Sequence, residues 1–136
     1  MNKRGPKPKI RSRAKSSPIP DPPGHLSDTE RTEFVRVANV LHDAGLLSAA
    51  DVDIIALYAR WHGSWTQANE HVAEHGQVIT TKTGAIKPNP SVNISNTASR
   101  EMLKCLNALG MTPASRKAVE RVERHEDDPI AKLMAW

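Results

Sequence analysis

The sequence predicts a mainly α-helical chain: an antiparallel hairpin of two long helices, a small β-hairpin and further C-terminal helices. Three observations predict it. Apolar residues recur every three or four positions over two long stretches. Capping residues and glycines punctuate both ends of those stretches. One short β-branched stretch, within residues 77–88, interrupts the helical period.

Residues 1–26 are expected to stand apart as a disordered basic tail. Six prolines (Pro6, Pro8, Pro18, Pro20, Pro22 and Pro23), mixed with Gly, Ser, Lys and Arg, forbid a helix and supply no core. The helical core and oligomerisation domain is placed at 27–124, and residues 125–136 are a C-terminal tail.

The first helix is expected at 28–44. Ser27 is a good N-cap, and Glu30 three residues later completes a capping box. Leu26 precedes the cap as a hydrophobic staple. Phe34, Val37, Ala38 and Leu41 fall on one face, and Asp43-Ala44-Gly45 ends the element.

Ser48 starts a second helix, with Asp51 in its first turn and Gly76 as its stop. Running to His75, it reaches about 40 Å. Its apolar residues form two stripes. One comprises Ile54, Tyr58, Trp61, Trp65, Ala68 and Val72; the other comprises Val52, Ile55, Ala56 and Ala59. A helix apolar over so wide an arc needs neighbours on more than one side. The expectation is one intramolecular neighbour and one from a second subunit, with Ile54, Tyr58, Trp61 and Trp65 as the oligomer interface.

Gln77-Val78-Ile79-Thr80-Thr81 and Ile86-Lys87 read as the strands of the β-hairpin, kept short and at an edge by Pro88. A third helix starts at Asn89-Pro90, with Asn as cap and Pro at its first position. Ile94, Ala98, Met102, Leu106 and Leu109 form its stripe, after polar opening turns. Gly110 ends it. Thr112-Pro113 opens a fourth helix to about Arg124, carrying Arg116, Lys117, Arg121 and Arg124.

Charge is partitioned along the chain. The 136 residues hold 19 Lys/Arg and 15 Asp/Glu, for a formal net charge of +4. Seven of the cations lie in residues 1–20, where there is no acid: Lys3, Arg4, Lys7, Lys9, Arg11, Arg13 and Lys15. The remainder carries 12 basic against 15 acidic residues, so all the excess positive charge belongs to the tail. A basic tail on a mildly acidic body points to a polyanion, nucleic acid first. Such a tail neutralises phosphates without reading bases. Arg116, Lys117 and Arg121 are the second candidate set for DNA. No aromatic residue interleaves with the tail cations, which argues against single-strand stacking.

Other chemistries find little support. His71-Val72-Ala73-Glu74-His75 matches an H-x-x-E-H zinc pattern, but it ends a helix before a loop and has no third ligand. Histidines at a helix C-terminus are favourable for the dipole alone. No glycine-rich phosphate loop is present, so the chain is not expected to hydrolyse ATP. Catalytic residues, metal and cofactor are all expected to be none. Cys105 is the single cysteine; it reads as a buried small hydrophobe, with no internal disulfide and a reducing compartment. No run of 18 apolar residues occurs, so a soluble cytoplasmic protein without membrane contact is expected. The C-terminal Ile130, Leu133, Met134 and Trp136, behind Asp127-Asp128, are too short a segment to fold alone. They either pack on their own domain or dock in a partner's groove.

The order of these features resembles the small terminase subunits of tailed bacteriophages, the P27 family. The resemblance rests on Arg4-Gly5-Pro6-Lys7-Pro8, then Pro22-Pro23-Gly24-His25-Leu26-Ser27, then Ala44-Gly45-Leu46-Leu47-Ser48 with Asp51. Tyr58, Ala59, Trp61 and Trp65 follow, then Gly76 with the hairpin and Asn89-Pro90. Leu109-Gly110-Met111-Thr112-Pro113-Ala114-Ser115-Arg116 completes the order. The Ser/Asn/Thr-rich start of the third helix departs from the pattern. The resemblance implies a ring-forming homo-oligomer and a non-catalytic part of the genome-packaging motor, acting in the host cytoplasm. Its partners would be double-stranded viral DNA and the large terminase subunit, which carries ATPase and nuclease and would be recruited by Ile130, Leu133, Met134 and Trp136. The alternative is a dimeric helix-turn-helix transcriptional regulator. The first two helices have a turn of suitable length, but Asp51 and Asp53 at the start of the second repel phosphate.

Overall fold

The computed structural model describes residues 18–116. Three helices carry it: α1 (Asp28–Asp43), α2 (Val52–His75) and α3 (Pro90–Ala108). A two-stranded antiparallel ribbon, β1 (Val78–Thr80) and β2 (Ile86–Pro88), joins α2 to α3.

α1 forms as its sequence dictates. Ser27 accepts from the Glu30 N–H at 3.3 Å, and Glu30 accepts from the Ser27 N–H at 3.0 Å. Two helix-end donors are thereby satisfied reciprocally, worth about 1 kcal/mol. Leu26, just outside the cap, is buried, and the Arg31 guanidinium donates back to the Leu26 and Gly24 carbonyls. Phe34, Val37, Ala38 and Leu41 are all buried.

Gly45 turns the chain in the left-handed region, at φ 69°. Ser48 and Asp51 again form a reciprocal cap, but around a 3-10 turn (Ala49–Asp51) rather than the first turn of a long α-helix. α2 proper starts at Val52 and spans about 36 Å. Gly76, at φ 82°, ends it by a backbone conformation that only glycine adopts without strain.

α2 is the central element. On one side the start of α1 meets its middle, through Glu33 and His62, while Leu41 and Leu47 meet Ile55 in the core. On the other side Ser95, early in α3, bonds Asn69, while Cys105 and Leu109 join Ile55, Tyr58 and Ala59. Both neighbours therefore run antiparallel to α2. Two sides of α2 are thus covered within the protomer, while Trp65 stays 36% exposed.

The buried stripe of α3 is Ala98, Cys105 and Leu109, with Met102 and Leu106 half-buried against the cluster. Ile94, expected on this stripe, is 49% exposed. At that end Ser95 Oγ donates to Asn69 Oδ1 at 2.7 Å, and Ala98 is the first fully buried apolar residue of α3. Cys105 is free and buried; burial, reinforced by the Glu101 charge, pushes its thiol up and leaves it unreactive.

The ribbon pairs Val78 with Pro88, Ile79 with Lys87 and Thr80 with Ile86. β1 is three residues, shorter than the Gln77–Thr81 stretch suggested, while β2 is one residue longer than Ile86-Lys87 because it takes in Pro88. After α3, Thr112 and Ser115 cap reciprocally, and residues 113–116 form the first turn of the expected fourth helix.

Candidate functional site

Lys3, Arg4, Lys7, Lys9, Arg11, Arg13 and Lys15 lie outside the described residues, as do Lys117, Arg121, Ile130, Leu133, Met134 and Trp136. Of the expected DNA contacts, Arg116 is within them; it is exposed on the turn that follows Thr112.

The four expected interface residues separate in the fold. Tyr58 is buried in the protomer and Ile54 packs half-buried against the same cluster. Trp61 is half-buried and Trp65 is 36% exposed. Of the four, Trp65 is the most open and Trp61 is half-buried beside it, while Leu57 on the same helix is 50% exposed. His62 stands between Tyr58 and Trp65, with ring centroids 6.1 Å from each.

A polar cluster links this row to α1. Glu33 is buried, yet its carboxylate accepts from Arg36 Nε at 3.0 Å and Nη2 at 2.6 Å. His62 Nε2 stands 3.9 Å away, and the Tyr58 hydroxyl is within reach of the same carboxylate. Burial pushes Glu33 up, but the Arg36 hydrogen bonds and the His62 and Arg36 charges outweigh it and hold the carboxyl below its ordinary range. Burial and the Glu33 charge push the Tyr58 phenol up, so it stays protonated.

Glu33 and His62 also line an open groove of about 440 Å³ between α1 and α2, with Thr29, Thr32, Thr66 and Glu70. Gly63 lines it too: a Cβ there would meet the Glu30 side chain, with Cγ at 3.2 Å, so that side chain would have to shift. Sequence reasoning missed this cluster. Glu33 and Arg36 stand three apart, a visible pairing signal, but the burial comes from α2.

The His71/His75 pair has a structural role at one of its members. Asn89 Nδ2 donates to the Gly76 carbonyl at 2.8 Å and lies 3.1 Å from His71 Nδ1, while Asn89 Oδ1 accepts from the Ser91 N–H. His71 Nδ1 is therefore an acceptor. The two imidazoles meet at a tilt of 44°, with centroids 4.3 Å apart. Among the described residues no group of three or more His, Cys, Asp or Glu is placed to hold a metal. Nor is any described helix long and apolar enough to cross a membrane.

The family model for the phage terminase small subunit matches residues 31–126, most of the chain. The chain belongs to the phage terminase small subunit family. No curated protein and no solved structure matches it. The match takes in all three helices except the first turn of α1, and the whole ribbon. In this terminase small subunit the matched region takes in nearly all of the three-helix body and continues past the described residues to 126, and the basic stretch 1–20 precedes it. The family carries a role in phage DNA packaging.

Proposed function

We propose that this chain is a P27-type small terminase subunit: a non-catalytic DNA-recognition and adaptor component of a tailed-phage packaging motor, acting in the host cytoplasm. The observation that carries the reading is the family match over residues 31–126. The charge partition supports duplex DNA as partner, since the seven tail cations face no acid within residues 1–20. Arg116, Lys117 and Arg121 add cations at the far end of the body.

Copies of the chain assemble as a ring through the open aromatic surface of α2, at Trp61 and Trp65. Large aromatic anchors are the residues that carry most interface energy. A ring multiplies weak tail contacts into useful avidity without any tight single site. Ile130, Leu133, Met134 and Trp136 dock into the large subunit, which supplies ATPase and nuclease.

The test is binding of a fluorescent DNA duplex by the full chain and by a chain lacking residues 1–20, from 50 to 200 mM salt. The full chain binds with a steep salt dependence. The truncated chain binds more weakly, with a flatter slope. Equal binding by both would move the contact to Arg116, Lys117 and Arg121; no binding by the full chain would overturn the reading.

A further inference from the structure

From His75 to Arg100 the chain carries Lys82, Lys87 and Arg100 and no Asp or Glu. This acid-free stretch is the whole ribbon and the first half of α3. Elsewhere on the described surface Arg36 pairs with Glu33 and Lys104 with Glu101.

α3 buries Ala98, Cys105 and Leu109 and leaves Asn93, Asn96 and Arg100 exposed. Steps of three and four place these three on one face, opposite the buried stripe. Among the described residues, the Asn93 and Asn96 amides make no side-chain hydrogen bond. Arg100 makes one weak contact among them, Nη2 to Thr97 Oγ1 at 3.4 Å, and has no carboxylate partner within the described residues. Leu103, 54% exposed, continues the face.

These are the groups that read base edges. An asparagine amide matches the donor and acceptor of adenine in the major groove, and a guanidinium forks onto guanine. An α-helix fits that groove. From Asn93 to Arg100 the helix rises about 10 Å, close to three base-pair steps. The lysines of the ribbon suit phosphates, which position a protein without carrying sequence. Ribbon and helix are fastened together: the Asn89 N–H donates to the Gln77 carbonyl at 2.8 Å, and its side chain spans from Gly76 to Ser91.

We propose that α3 is a base-reading helix, entering the major groove of duplex DNA with Asn93, Asn96 and Arg100 while Lys82 and Lys87 hold phosphates. This rests on the reading of the chain as a DNA-binding small subunit and divides the labour within it. The N-terminal tail supplies affinity for any sequence; α3 supplies the choice among sequences. It also gives a use to the polar opening turns of the third helix.

The test starts with selection of duplexes by the full chain from a random 30-base-pair library. The selected duplex and a scrambled one are then titrated at one salt concentration. Arg100→Ala, the double variant Asn93→Ala/Asn96→Ala and the double variant Lys82→Ala/Lys87→Ala are compared with the parent. All five positions are exposed, so folding is retained, checked by circular dichroism. Arg100→Ala lowers the preference for the selected duplex about tenfold and leaves the scrambled duplex nearly unchanged. The lysine variant weakens both duplexes alike and reduces the salt slope by about two.

Selection that yields no preferred sequence, or variants that keep the parent's preference, overturns the proposal while general DNA binding stands. Loss of solution mass in the α3 variants would make this face a contact between copies and likewise overturn it. A parent chain that binds no duplex at all defeats the DNA-binding reading itself.

Discussion

Asn89 donates from Nδ2 to the carbonyl of Gly76 at 2.8 Å, tying the residue that opens α3 to the residue that closes α2. Asn89 is 1% exposed and caps α3 through Oδ1 to the Ser91 N–H. One amide thus uses its donor and its acceptor on two different helix ends, and it fixes where the ribbon leaves the body.

The prediction at this site separates its two functions. Asn89→Asp keeps the capping acceptor but loses the donor and sets a carboxylate against the Gly76 carbonyl. Asn89→Ala loses both bonds. Each is expected to cost about 1–3 kcal/mol, a fall in Tm of several degrees by differential scanning calorimetry. An unchanged Tm in Asn89→Asp would show that the Gly76 bond contributes nothing.

Glu33 gives a pH dependence with a definite sign. Its folded carboxyl sits below the ordinary value of 4.5, held there against burial by Arg36 and His62. The stabilisation is therefore fully present above the ordinary carboxylate value and is lost as pH falls through the lower folded value. Glu33→Gln is expected to be less stable than the parent at pH 7 by about 1 kcal/mol, a modest figure because Arg36 is solvent-exposed. The gap closes as pH drops below 4.5. Urea melts at pH 7 and pH 3 measure it; a gap that stays constant or widens in acid contradicts the account.

Trp65 lies on the open side of α2, outside the buried cluster. Trp65→Asp is expected to shift the assembly toward smaller species in sedimentation velocity while the helical circular dichroism signal persists. Persistence of the parent's sedimentation coefficient would remove this face from the interface.

Removing residues 129–136 is expected to abolish stimulation of the large subunit's ATPase and to leave the assembly intact. Normal stimulation by the truncated chain would show that Ile130, Leu133, Met134 and Trp136 are not the docking segment.

What the sequence made legible was whatever is local. The Ser27–Glu30 box, the face of Phe34, Val37, Ala38 and Leu41, the Gly76 stop and the Asn89-Pro90 start all depend on neighbours within one or two turns, and each is found as read. The stripes of α2 were visible too, but a stripe does not say which element covers it: Tyr58 is buried within the protomer, while Trp65, on the same stripe, stays 36% exposed. Ile94 shows the converse. Its helical spacing was right, yet it is 49% exposed at the end of α3 where Ser95 bonds Asn69. The Glu33 cluster was hidden for a similar reason: Tyr58 and His62, which surround the carboxylate, stand 25 or more positions away in sequence.

The most direct test of the central claim, that this chain works as a multi-subunit packaging component, is the solution mass of the full chain by native mass spectrometry. A single closed species larger than a tetramer is expected. A dimer would contradict it and favour a two-fold transcriptional regulator; a monomer would contradict it by leaving Trp61 and Trp65 without the neighbour the ring requires.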